Sequence, residues 1–224
     1  MIACGFDVQD DRLECNLAGW TRTSECLVLG HIVLWGPADD DSTWAELDEL
    51  LRARWQHPNG GRLQVDACAV DAGDGGHYDK VLSFCQPRAS RRVMAIKGAA
   101  GARPAIVASH SKIKGGGRLW IVGVDTVKGT IFDRLQRGRM TRFEPVYYEQ
   151  LASERRVIRY HKGRPIRRFE RIAGRRAKTL DALVYAHAAR SAAPIQLDQR
   201  ERDLASRTPP QQRQGVVKSA WMSR

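Results

Sequence analysis

One stretch near the N-terminus constrains the fold most: Gly5-Phe6-Asp7-Val8-Gln9-Asp10-Asp11-Arg12-Leu13-Glu14. Residues 2–8 are a short β-branched and aromatic run, 9–11 a polar turn, and Leu13, Cys15 and Leu17 alternate with polar residues as a half-buried strand requires. The product is a hairpin with an acid inside its first strand. A carboxylate among apolar neighbours is costly to bury unpaired, so Asp7 needs a partner, and a metal ion is one that fits. The plainer reading is a strand-end aspartate that caps its own turn.

The chain has 224 residues, enough for one sizeable core or one domain with appendages. Its 37 Lys+Arg against 25 Asp+Glu give a formal charge of +12, the footprint of a protein that meets phosphate backbones. An anionic membrane would suit that charge, but no long apolar span, signal peptide or basic amphipathic anchor is visible, so an intracellular protein without a membrane partner is expected. Cys4, Cys15, Cys26, Cys68 and Cys85 lie in apolar runs without a C-x-x-C pair, which points to buried thiols.

Residues 24–35 read as a third strand, and Gly36 to Asp41 breaks it. Trp44, Leu47, Leu50, Leu51 and Trp55 recur at helical spacing, predicting a helix over 43–56 capped by Asp41 or Ser42. Pro58 to Gly61 ends it, and a strand from Leu63 to Val70 delivers Asp71 at its C-terminal end, before the glycine-rich turn Gly73-Asp74-Gly75-Gly76. A helix over 77–86 and a strand over 92–96, ending at Lys97-Gly98, follow. Residues 98–117, with Lys112 and Lys114, read as a mobile basic loop. A strand over 119–124, a helix from Asp125 or Thr126 to about Leu135 and a shorter one from Pro145 come next.

Residues 155–176 carry ten arginines and lysines against the single acid Glu170. Val157-Ile158-Tyr160 and Ile166-Phe169-Ile172 interleave with them around His161-Lys162-Gly163-Arg164, so an appended basic β-hairpin is predicted, with Arg164, Arg167 and Arg168 against DNA. The last helix, 177–191, holds Asp181 on the flank of its apolar stripe. From 193 to 224 the composition predicts a flexible tail, with Val216-Val217 and Trp221-Met222 as its sticky residues.

This order, three antiparallel strands, helix, strand, helix, strand and further helices, matches the ribonuclease H-like fold: a central mixed sheet of a meander plus parallel strands, flanked by helices, over residues 1–192. Asp7, Asp71 and Asp181 would then converge. Three carboxylates at one point need a counter-charge, and Mg²⁺ or Mn²⁺ supplies it; two such ions activate water and stabilise the leaving oxygen in phosphodiester cleavage.

Segments 5–14, Ala69-Val70-Asp71-Ala72-Gly73, Ala95-Ile96-Lys97-Gly98, Gly123 to Lys128 and Leu180 to Ala186 resemble the nuclease domain of GpA-type phage terminase large subunits, in order and spacing over about residues 2–190. The resemblance implies an endonuclease that cuts concatemeric viral DNA during genome packaging in the host bacterial cytoplasm. It implies Asp7, Asp71 and Asp181 as metal-binding acids, with Lys97 beside the site. The implied partners are double-stranded DNA, the terminase ATPase domain and small subunit, and the portal through the C-terminal tail. No G-x-x-x-x-G-K-[ST] phosphate loop occurs in these residues, so a nuclease half is expected, as an excised domain, a truncated prophage gene or a separately encoded subunit. Lys178-Thr179 stand where relatives are more acidic. Assistance from Asp125, His77 or Glu14 stays open, as do two other functions: a junction resolvase or transposase-type nuclease, and an inert DNA-binding module.

Overall fold

The computed structural model describes residues 1–57, 60–73, 75–101, 103–108, 117–137, 145–161 and 163–206. β1 (Ile2–Val8), β2 (Arg12–Trp20) and β3 (Cys26–Trp35) form the meander that the alternation predicts, antiparallel throughout. α1 (Asp41–Arg52) is capped by Asp40, whose Oδ1 accepts from the Ser42 amide at 2.9 Å. The helix is shorter than its sequence pattern. Trp55 alternates with Arg54 and Gln56, so these three residues leave the helix as β4 (Arg54–Gln56) and pair antiparallel with residues 62–64.

β5 (Arg62–Asp71) lies parallel to β1, and after α2 (Tyr78–Cys85) the strand β6 (Val93–Ala99) lies parallel to β5. Pro87 turns the chain past α2 into a 3-10 turn over Gln86–Arg91. The segment read as a mobile loop is partly sheet: β7 (Ile106–Ala108) runs antiparallel to β8 (Leu119–Gly123), which itself lies parallel to β6. Lys112 and Lys114 lie outside the described residues. Among those described, eight strands make one mixed sheet in the order β3-β2-β1-β5-β6-β8-β7, with β4 on β5.

α3 (Val124–Gln136) and α4 (Pro145–Leu151) precede a two-stranded antiparallel ribbon, β9 (Glu154–His161) and β10 (Arg164–Arg171). α5 (Lys178–Ala192) follows, and then α6 (Leu197–Ala205) occupies part of the segment expected to be a tail. It is held there because Ile195 and Leu197 pack on the core and Arg200 pairs with Asp66, which is buried on β5. Neither contact is local in sequence, so composition alone missed it.

Period-two alternation gives the sheet two apolar faces. Phe6, Leu13 and Val70 meet Leu47, Leu51, Val81 and Phe84 from α1 and α2, while Ala3, Ala67, Ala69 and Ile96 meet Leu180, Leu183 and Val184 from α5. Each fully buried large apolar side chain contributes about 1.5–3 kcal/mol. The alanines on the second face, together with Gly5, let α5 lie directly on β1. A Cβ at Gly5 would stand 2.2 Å from the Ala182 carbonyl oxygen and 2.3 Å from the Ala186 nitrogen, both helix backbone that cannot rotate aside. Gly5→Ala is therefore expected to lower stability by about 1–3 kcal/mol or more, read as a reduced midpoint in urea denaturation. An unchanged midpoint would mean that α5 does not seat on β1.

Candidate active site

The seating of α5 decides which side chains meet. Asp7 and Asp71 follow the alternation that puts Ala3, Ala67 and Ala69 under the helix, so both point to the α5 side of the sheet, at the C-terminal ends of adjacent parallel strands. Asp181 enters from the first turn of α5. That turn is held in place from β2: Asn16 Nδ2 donates to the Thr179 carbonyl at 2.6 Å, and Tyr147 Oη donates to Asn16 Oδ1 at 2.8 Å.

The three acids are close enough to act on one another. Burial pushes the Asp7 carboxyl up to about 7; Lys178 opposes this, and the charges of Asp181 and Asp71 add to it. Asp71 is also raised, first by burial and further by Asp181, against hydrogen bonds from the Gly73 amide (3.0 Å) and from Tyr185. Tyr185 lies one turn after Asp181 on the same helix face, and burial, then the negative charge of the acids, lifts its hydroxyl well above the ordinary phenol range. It stays a donor aimed at Asp71.

Cations already neutralise the cluster. Lys178 Nζ stands 3.2 Å from Asp7 Oδ2, and Gln9 Nε2 donates to the same oxygen at 2.5 Å. On the other side Lys128, buried, places its Nζ 3.1 Å from Asp181 Oδ1 and 2.7 Å from Glu154 Oε1, and Arg171 reaches Asp181 Oδ2 at 3.7 Å. With these lysines in place, no three acid, histidine or cysteine groups among the described residues stand at the spacing for one shared ion. The donor set is nevertheless all oxygen, which suits a hard divalent cation rather than zinc.

Of the remaining candidates, Glu14 stays beside Asp7 and Lys97 is turned away. Lys97 is exposed on β6, and alternation with Ile96, the register partner of Asp71, directs it to the opposite face. Glu14 sits directly across from Asp7 on β2; burial works against its ionisation, but His31 and Arg12 outweigh it and hold the carboxyl below the usual range. His77 is engaged by Asp10 at 2.8 Å and Asp39 at 3.4 Å, and Asp10 first of all raises its pKa. Asp125 is not the expected helix cap. It lies in the first turn of α3 and accepts from the Gly101 amide at 2.6 Å and the Phe169 amide at 3.4 Å, joining loop and ribbon to the helix. Arg164 and Arg168 are exposed on β10, whereas the side chain of Arg167 lies outside the description.

Sequence reasoning missed Lys128, Lys178 and Tyr185 as neighbours of the acids. For Tyr185 a signal existed, its i,i+4 spacing from Asp181. For Lys128 none did, because a lysine on an amphipathic helix reads as solvent-facing until the tertiary fold buries it.

The family model for the endonuclease domain of the terminase large subunit gpA matches residues 1–202. The large terminase subunit of Enterobacteria phage P21 is 26% identical over 205 residues, which cover 84% of this chain and 32% of the relative. That of Escherichia phage lambda is 26% identical over 204 residues, with the same coverage of 84% and 32%. The chain thus spans about a third of the length of the curated relatives it matches. No solved structure matches it. The chain belongs to the family of terminase large subunit gpA endonuclease domains.

Proposed function

We propose that the chain is a metal-dependent endodeoxyribonuclease that cuts concatemeric viral DNA during genome packaging, on a ribonuclease H-like fold. The observation that carries this reading is the meeting of Asp7, Asp71 and Asp181, from two parallel strand ends and one helix, where burial and mutual repulsion favour a bound cation. Asp7, Asp71 and Asp181 would hold Mg²⁺ or Mn²⁺. Bound in a pair, such ions supply an activated water and neutralise the leaving oxygen. The chain's own part is positional. Tyr185 fixes Asp71, Lys128 fixes Asp181 and Glu154, and Lys178, on a half-exposed flexible stem, must leave Asp7 before a metal is held. The released ammonium is then available to scissile phosphate.

Nicking of supercoiled plasmid by the purified protein in Mg²⁺ or Mn²⁺, absent in EDTA, is the expected result. No nicking in either metal would favour the inert DNA-binding module, which the lysine-neutralised acids also suit. A helix long and apolar enough to cross a membrane is absent among the described residues, and action in the host cytoplasm fits the proposed role. The ATPase domain, the small subunit and, through residues beyond 206, the portal are the proposed protein partners.

The ribbon and the basic segment 98–117 are proposed to bind DNA weakly and without sequence preference, through phosphates. Replacing Arg164, Arg167 and Arg168 together by Ala is expected to flatten the slope of log affinity against log salt by up to about 0.9 per lost contact. An unchanged slope, measured by fluorescence anisotropy, would place the ribbon away from DNA.

A further inference from the structure

The ribbon carries more than charge. Its register pairs Arg156, Ile158 and Tyr160 of β9 with Phe169, Arg167 and Pro165 of β10, so the apolar residues of this face are interleaved with arginines. At the base of that face Phe169 packs on Phe132 of α3, with ring centroids 5.1 Å apart, and Arg156 lies over Phe169 while its guanidinium meets Asp133 at 2.8 Å. Toward the tip the same apolar face leaves the protein: Ile158 is 61% exposed and Tyr160 is 76% exposed, with Pro165 beside it. The other face holds Arg155, Arg159, Arg164 and Arg168. Residues 154–171 contain seven arginines and one lysine against two glutamates, a net charge of +6.

Two adjacent large apolar side chains held in water at the end of an arginine-rich arm need a partner that is apolar at its centre and anionic at its rim. A protein groove that accepted Ile158 and Tyr160 would have to tolerate this cationic surround, whereas duplex DNA offers stacked bases between two rows of phosphates. The rooting of the arm gives the contact direction. Glu154 at its first residue and Arg171 at its last both belong to the ion pairs around Asp181, so the arm starts at the acids and carries Tyr160 about 20 Å out from them, within one duplex width.

Resting on the reading of this chain as a DNA-acting protein, we propose that the ribbon tip is a wedge: Tyr160 and Ile158 enter between base pairs and unstack one step, while the arginines hold the flanking phosphates. A wedge spends part of its binding energy on unstacking, so DNA that is already unstacked should bind better.

The test is binding of the full chain, in EDTA so that cleavage plays no part, to a matched 30-base-pair duplex and to the same duplex carrying a two-base mismatch. The expected result is about 10-fold tighter binding to the mismatched duplex, lost in Tyr160→Ala and retained in Tyr160→Phe, which keeps the ring. Because Tyr160 is exposed, its replacement leaves the fold intact, which circular dichroism would verify. Equal affinity for the two duplexes, or a preference that survives Tyr160→Ala combined with Ile158→Ala, overturns the wedge while leaving the nuclease reading untouched. Failure to bind either duplex overturns both.

Discussion

Asp7→Asn is expected to reduce Mn²⁺-dependent plasmid nicking by about three orders of magnitude or more, while making the metal-free protein more stable above neutral pH. Asparagine keeps the volume and can still accept from Gln9, but it cannot carry the charge that a cation requires. The stability effect follows from proton linkage. Asp7 has a folded pKa of about 7 against an ordinary value of 3.8, so between those limits the folded state keeps a proton that the unfolded chain releases. Folding stability therefore falls as pH rises through that window and stays reduced above it. The full gap corresponds to about 4 kcal/mol, a figure in which the opposing attraction of Lys178 is already included. Denaturation in EDTA should show the variant and the parent equal near pH 4 and the variant ahead at pH 8. Nicking at the parental rate would remove Asp7 from the site; a stability difference that ignores pH would mean Asp7 is not desolvated. Asp71→Asn and Asp181→Asn should lose activity to a similar extent and without additivity, as parts of one unit do.

What the sequence discloses here is what local periodicity encodes. Alternation at Leu13, Cys15 and Leu17 fixes the first hairpin, the spacing of Trp44, Leu47 and Leu51 fixes α1, and an acid at the end of an apolar strand run marks Asp71. What stayed hidden depends on contacts between distant segments. Lys128 is a helix residue whose burial is decided by β9 and α5, and Lys178 meets Asp7 only because Gly5 admits α5. Lys97 illustrates the reverse: its nearness in sequence to a strand end suggested the site, but the strand's own pleat turns it away from Asp71.

Deleting residues 193–224 is expected to cost about 3–5 kcal/mol of folding stability, a large share of the 5–15 kcal/mol typical of a domain. The sequence alone suggests the opposite, since this stretch reads as a tail. α6 changes the expectation through Asp66, whose side chain is 6% exposed on β5, accepts from the Ile2 amide at 2.9 Å and is neutralised by Arg200. Removing Arg200 leaves a buried carboxylate with one amide and only the half-buried N-terminal ammonium of Met1 nearby, and a buried pair broken on one side costs more than the pair itself contributes. Exposure of the surface that Ile195 and Leu197 cover adds to the loss. Asp66 lies five residues before Asp71 on the same strand, so nicking should fall together with stability. Arg200→Met should reproduce most of the effect without shortening the chain, and deletion of 207–224 alone should leave both urea midpoint and nicking near those of the full chain. Only the shorter deletion can therefore separate portal docking from folding. Equal urea midpoints for the full chain and the 193–224 deletion would show that α6 is an appendage and that Asp66 tolerates burial without Arg200.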